Sequence, residues 1–86
     1  MKKVIMFSLD SCPYCKRAIK MVEVLKQKNP EYKDVEIEII DEDNRPDEYK
    51  GLTHELVPAY YVDGREVFNG VPNFDLIKEV LEKSIN

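Results

Sequence analysis

The sequence lacks the marks of several large classes of protein. No apolar run approaches the ~20 residues that a membrane-spanning helix needs. After the opening Met-Lys-Lys, the apolar run from Val4 to Phe7 is too short for the core of a signal peptide, and Ser8 and Asp10 interrupt it. The sequence has no basic stripe with interleaved aromatic residues, which a nucleic-acid-binding surface would need. We therefore expect a cytoplasmic protein that binds neither a membrane nor nucleic acid.

Residues that bind metals are also scarce, because the chain has two cysteines and one histidine. A tetrahedral metal site takes four ligands, so we expect no metal site and place the lone His54 at the surface or at a helix cap. Structural disulfides are rare in the cytosol, where a close pair of cysteines is more often catalytic or metal-binding. The two cysteines are therefore the first candidates for a functional site.

Charge is spread unevenly along the chain, which carries a net charge of −4. Residues 31–48 hold nine acidic side chains against two basic ones, Lys33 and Arg45. Such a block is typical of a solvated surface. We interpret it as an exposed sheet edge rather than as a partner-binding surface.

Hydrophobic periodicity predicts an α/β domain over residues 1–86 with the element order β-α-β-α-β-β-α. The strands are expected at residues 3–9, 34–40, 59–62 and 65–68. The helices are expected from Pro13 to about Asn29, from Pro46 to Gly51, and from Pro72 or Asn73 onward. Because helices separate the first three strands, we expect those strands to be parallel, with the final hairpin adding an antiparallel edge.

Cys12 and Cys15 fall where the first strand gives way to the first helix. Residues three apart on a helix have Cα atoms about 5 Å apart, within the range that a disulfide accepts. The pair can therefore open and close with little backbone movement, and so small a ring adds little stability. The helix N-terminus favours a thiolate at Cys12, whereas Cys15 lies one turn further in and is more shielded. We predict that Cys12 attacks a substrate disulfide and that Cys15 resolves the mixed disulfide.

Other residues near the cysteine pair are candidates for substrate contact. Tyr14, between the cysteines, is expected at the rim of the site. The Val57-Pro58 bond precedes a strand, and with the cysteine pair in the same chain we predict that it is cis. Three cations follow the cysteine pair, Lys16, Arg17 and Lys20. They either support a thiolate or bind an anionic substrate, or they form an ordinary solvated face.

Together these residues resemble a dithiol glutaredoxin of the thioredoxin superfamily over nearly the whole chain. The resemblance is carried by Cys12-Pro13-Tyr14-Cys15 after a strand, by Arg17-Ala18 behind it and by Val57-Pro58. It implies a thioredoxin-like, four-stranded mixed sheet with helices on both faces and a cis Pro58 that faces the cysteines. It also implies that Cys12 is the nucleophile, that Cys15 is the resolving thiol, that Tyr14 lines a glutathione groove and that the Val57 backbone pairs with bound peptide.

The sequence departs from the glutaredoxin pattern where that family binds glutathione. Leu9 and Asp10 stand where a Lys or Arg is usual, and Phe68-Asn69 stands where Gly-Gly is usual. We therefore expect a monomeric thiol-disulfide oxidoreductase that acts on protein or glutathione mixed disulfides, with glutathione as a possible co-substrate and no tightly bound cofactor. One alternative is a redoxin recharged by a thioredoxin reductase, and another is a metal or iron–sulfur carrier that takes extra ligands from a partner or from glutathione.

Overall fold

Four strands form one mixed sheet in the computed structural model, which describes residues 1–86. The strands are β1 (Val4–Ser8), β2 (Ile37–Asp41), β3 (Ala59–Val62) and β4 (Arg65–Asn69), and their spatial order is β2-β1-β3-β4. Two α-helices complete the fold, α1 (Pro13–Lys28) and α2 (Phe74–Ile85). The α/β class and the four-stranded mixed sheet are confirmed. No helix is both long and apolar enough to cross a membrane.

Strand β1 lies inside the sheet and is buried on both faces, which explains its continuous apolar sequence. Val4 and Met6 belong to the larger core cluster, which contains the buried side chains of α1 and α2. Ile5 and Phe7 point the opposite way, into a smaller cluster. Both α-helices therefore cover one face of the sheet.

The expected parallel arrangement of the first three strands is wrong for β3. Strand β2 is parallel to β1, but β3 is antiparallel to β1, with Phe7 opposite Ala59. The reason is that the connecting segment, residues 42–58, contains only a single-turn 3-10 helix, Asp47–Tyr49, where we expected a crossover helix. This segment stays at the end of the sheet where β1 and β2 finish, and the chain enters β3 from there.

The same segment covers the second face of the sheet. Tyr49 from the 3-10 turn is buried there with Phe7, Ile40 and Tyr61. The second face therefore has a loop with one helical turn in place of the expected helix.

Strand β2 forms the exposed edge that its acidic residues predict, although it begins later than expected. Ile40 is buried, whereas Ile39 on the opposite side is 52% exposed. Ile37 and Ile39 line an open groove beside Ile19 and Val22 of α1. The helix therefore covers this edge only in part.

Local signals set the ends of the elements as predicted. Pro13 occupies the first turn of α1, and Asn73 caps α2 by accepting the Leu76 N–H at 2.8 Å. The β3–β4 turn has positive φ at Asp63 (54°) and Gly64 (81°), the backbone of a two-residue hairpin turn. These contacts fix where the helices and the hairpin begin.

We predict that Ile77→Ala lowers the free energy of unfolding by about 2–5 kcal/mol, because the Ile77 side chain is fully buried in the larger cluster. Urea denaturation measures the loss, with the exposed neighbour Lys78→Ala as the matched control. Equal stability of the two variants would contradict the placement of this helix face in the core.

Candidate functional site

Cys12 is the N-cap of α1. Its backbone is extended (φ −91°, ψ 107°), and its N–H donates to the Leu9 carbonyl at 3.1 Å, which closes the turn after β1. The Cys12 Sγ accepts the Cys15 N–H at 3.1 Å. The sulfur thus occupies the place of a capping oxygen, where free N–H groups and the helix dipole favour negative charge.

The two cysteines differ in exposure, because Cys15 is shielded from solvent and Cys12 is accessible. The Cys15 side chain is 1% exposed and belongs to the larger core cluster, whereas Cys12 is partly exposed. Burial raises the pKa of the Cys15 thiol, and its hydrogen bond with Cys12 raises that pKa further. Both cysteines are free thiols in this structure. One thiol is therefore placed to meet a substrate, and the other is held neutral behind it.

The entry to β3 lies directly beside Cys12. The Val57-Pro58 peptide bond is cis, as predicted, and the Val57 carbonyl lies 3.8 Å from the Cys12 Sγ. Neither the N–H nor the carbonyl of Val57 bonds to another backbone group. The backbone groups of Val57 therefore have no backbone partner, and its carbonyl lies beside the Cys12 sulfur.

Tyr14 lies in the first turn of α1 and is 42% exposed. The Arg17 guanidinium stacks over its ring, 5.4 Å from the centroid. Lys16 and Lys20 are exposed as well, and none of the three cations forms a salt bridge. These charges are therefore free to meet an anionic group.

Exposed apolar side chains near Cys12 were missed by the sequence analysis. Leu56 is 59% exposed and directly precedes Val57. The Gly70 N–H donates to the Pro58 carbonyl at 3.0 Å, and a side chain at Gly70 (φ 100°) would meet Leu56 Cδ1 at 3.2 Å. Val71 follows Gly70 and is 59% exposed. The sequence offered a signal only for Val71, an apolar residue that stands between the turn residues Gly70 and Pro72.

We name the apolar rim as Tyr14, Leu56, Val71 and Phe74, four of the six large apolar side chains that are exposed. Phe74 is the first residue of α2 and is 48% exposed. Their exposure makes these apolar side chains candidates for contact with a partner.

The expectation that His54 lies at the surface is wrong. Its side chain is completely buried, and its Nε2 lies 2.6 Å from a carboxylate oxygen of Glu42. Burial follows from partners distant in sequence, which satisfy both ring nitrogens. No group of three or more His, Cys, Asp or Glu side chains is arranged to hold a metal ion.

We predict that reduced protein loses stability as the pH rises through and above about 8.5, the ordinary range of a cysteine. Because burial raises the pKa of Cys15, the unfolded chain releases this proton at lower pH than the folded chain does. The stability that the buried Cys15 thiol contributes is therefore complete below the ordinary pKa range of a cysteine and is lost as the pH rises above it. Urea denaturation of reduced protein across this range measures the decline, which Cys15→Ala should reduce and Cys12→Ala should largely keep. An unchanged decline in Cys15→Ala would contradict the assignment.

Comparison with known proteins agrees with this geometry. No curated protein matches the chain at a significant level. A family model described as a thioredoxin domain matches residues 1–82. The match covers nearly the whole sequence, and the chain therefore belongs to the thioredoxin domain family.

Proposed function

We propose that this protein is a dithiol oxidoreductase of glutaredoxin type, which reduces disulfides through Cys12 and Cys15. The observation that carries the proposal is the contrast between the two sulfurs. The Cys12 Sγ is accessible at a helix N-terminus and accepts the Cys15 N–H at 3.1 Å, while Cys15 is buried directly behind it.

The proposed reaction begins when the Cys12 thiolate attacks one sulfur of a substrate disulfide. A bond forms between Cys12 and that sulfur, and the substrate bond breaks. The second substrate sulfur leaves as a thiolate and takes up a proton. The product of this step is a mixed disulfide between Cys12 and the substrate.

Cys15 completes the proposed exchange. It gives up its proton and attacks the Cys12 sulfur, and the remaining substrate thiolate leaves and is protonated. Two electrons have passed to the substrate, and the protein holds a Cys12–Cys15 disulfide. The raised pKa of Cys15 supports this order, because a neutral buried thiol stays inactive until the mixed disulfide brings an electrophilic sulfur to it.

The proposed substrate contacts are Tyr14, Val57 and Pro58. The N–H and carbonyl of Val57, which bond to no other backbone group, suit an extended peptide that binds as an added strand beside Cys12. The apolar rim offers contact area for a protein substrate. Protein disulfides are therefore the substrate class that these surfaces favour.

The electron donor has two candidates, glutathione and a thioredoxin reductase. Glutathione carries two carboxylates and needs cations or free helix N–H groups to bind them. Here Leu9 and Asp10 stand before the cysteines where glutaredoxins usually have a cation, and Phe68-Asn69 stands where they usually have Gly-Gly. These residues favour the reductase as the donor. The unpaired cations Lys16, Arg17 and Lys20 favour glutathione, because they offer partners for its carboxylates.

We predict that Cys12→Ser removes activity on both protein disulfides and glutathione mixed disulfides, because it removes the attacking sulfur. Cys15→Ser should keep activity on glutathione mixed disulfides, because a second glutathione in the assay can attack the mixed disulfide and release Cys12. It should lose activity on protein disulfides, which need the Cys15 thiol for release. Reduction of insulin and of a glutathione mixed disulfide measures the two activities. Full insulin reduction by Cys15→Ser would contradict the assigned roles.

The electron donor is tested by NADPH consumption in two parallel assays, one with glutathione and glutathione reductase and the other with thioredoxin reductase. We expect turnover with thioredoxin reductase and a reduction potential near the thioredoxin value of about −270 mV. Turnover with glutathione and a potential of about −200 to −230 mV would instead assign the protein to glutathione-linked reduction.

A further inference from the structure

His54 lies at the centre of a buried polar cluster on the face of the sheet opposite α1. Its ring packs against Phe7, with centroids 4.8 Å apart, and against the edge of Tyr61. Arg45 lies over the same Phe7 ring, 4.4 Å from its centroid. The His54 ring therefore packs segment 42–58 against this face of the sheet.

The hydrogen bonds assign a proton to Nδ1 of the ring. The Tyr61 hydroxyl donates its only proton to the Thr53 carbonyl at 2.8 Å, so it accepts from His54 Nδ1 at 3.1 Å. His54 Nε2 faces a Glu42 oxygen at 2.6 Å, which can only accept, and the Arg45 Nη2 at 3.1 Å, which can only donate. Each ring nitrogen of His54 therefore has a polar partner within the cluster.

Arg45 completes the cluster and ties it to the backbone. Its Nε donates to the other Glu42 oxygen at 2.7 Å, and its Nη1 donates to the Leu52 carbonyl. Glu42 is thus shared by Arg45 and His54, and its side chain is 21% exposed. Replacing such a buried charged group with apolar side chains of similar volume is often neutral or stabilising, so stability alone does not explain it.

The cluster fixes both ends of the segment that delivers Val57 to Cys12. Glu42 and Arg45 stand at the start of segment 42–58, and His54 stands three residues before Val57. The segment has only one 3-10 turn to hold its shape. The Val57 side chain packs against both core clusters, and the smaller one contains Phe7 and Tyr61, the rings that His54 contacts. The polar cluster therefore supports Val57 from one side.

We propose that His54, Glu42 and Arg45 act as positioning residues that hold the Val57 carbonyl against the Cys12 thiol and so set the reactivity of Cys12. The carbonyl lies 3.8 Å from the Cys12 Sγ and accepts a hydrogen bond from the Cys12 S–H. When the cluster is broken, Val57 is no longer held there, and the Cys12 S–H loses this partner. The same displacement removes the backbone that a bound peptide would pair with.

The test is the rate at which iodoacetamide alkylates Cys12 in a Cys15→Ser background, measured from about pH 6 upward, where the rate follows the thiolate fraction. We expect His54→Gln and Glu42→Gln to react about 2- to 3-fold faster than the parent at about pH 6, the factor that corresponds to losing one weak hydrogen bond. At high pH, where Cys12 is fully ionised, the rates should converge. A change of packing alone would not produce this pH-dependent difference.

Two further variants keep the test decisive. Lys50→Ala lies in the same segment, is exposed and should match the parent at every pH. Tyr61→Phe keeps the aromatic ring in the core and removes the hydroxyl that accepts from His54 Nδ1 and donates to the Thr53 carbonyl, so it disturbs the cluster without changing a charged residue. Tyr61→Phe should shift the alkylation rate in the same direction. Rates equal to the parent, or lower, in every folded cluster variant would overturn the proposal.

The proposal rests on the proposed function only where it concerns substrate. Alkylation needs no disulfide substrate, so it tests the positioning of Val57 even if the protein reduces no disulfide. The effect on substrate is measured in protein that keeps both cysteines. There, His54→Gln should raise the KM for insulin more than it lowers kcat, because Val57 contributes to substrate binding. An unchanged KM together with an unchanged alkylation rate would reject the positioning role and leave the dithiol reaction intact.

Discussion

The antiparallel pairing of β3 with β1 is the constraint on which the site depends. With Phe7 opposite Ala59, the start of β3 lies at the end of β1, where the chain continues toward Cys12. A parallel β3 would begin at the far end of the sheet and carry Val57 and Pro58 away from the cysteines. The antiparallel register therefore brings the helix N-terminus, the two thiols and the cis Val57-Pro58 bond to one place.

One helical turn separates two sulfurs in different surroundings. Cys12 caps the helix and is reached by solvent, whereas Cys15 faces the core formed by β1, β3 and α2. Burial raises the pKa of Cys15, and the helix N-terminus favours charge at Cys12. The fold thus gives two chemically identical side chains different surroundings, and the segment on the opposite face of the sheet ends with Val57 beside Cys12.

Local structure was predictable because its causes are local. The apolar run of β1, the Pro13 start of α1, the Asp63-Gly64 turn and the Asn73 cap are each set by a few neighbouring residues. The cysteine pair and the cis Pro58 bond followed from the same local signals and from the resemblance to glutaredoxins.

Features set by distant contacts were not predictable. The direction of β3 depends on whether segment 42–58 forms a crossover helix, and its Pro46-Asp47-Glu48 start suits a single 3-10 turn as well as a longer helix. His54 has no apolar periodicity around it, and its burial depends on Glu42 and Tyr61. Periodicity along one segment does not reveal partners on another.

The most direct test of the central claim is a redox titration of the protein in dithiothreitol buffers, with free thiols trapped by a maleimide and counted by mass spectrometry. The account predicts one reversible two-electron transition, in which Cys12 and Cys15 lose their thiols together and the protein stays monomeric. Two thiols that remain free across the range, or oxidation only to disulfides between chains, would contradict it.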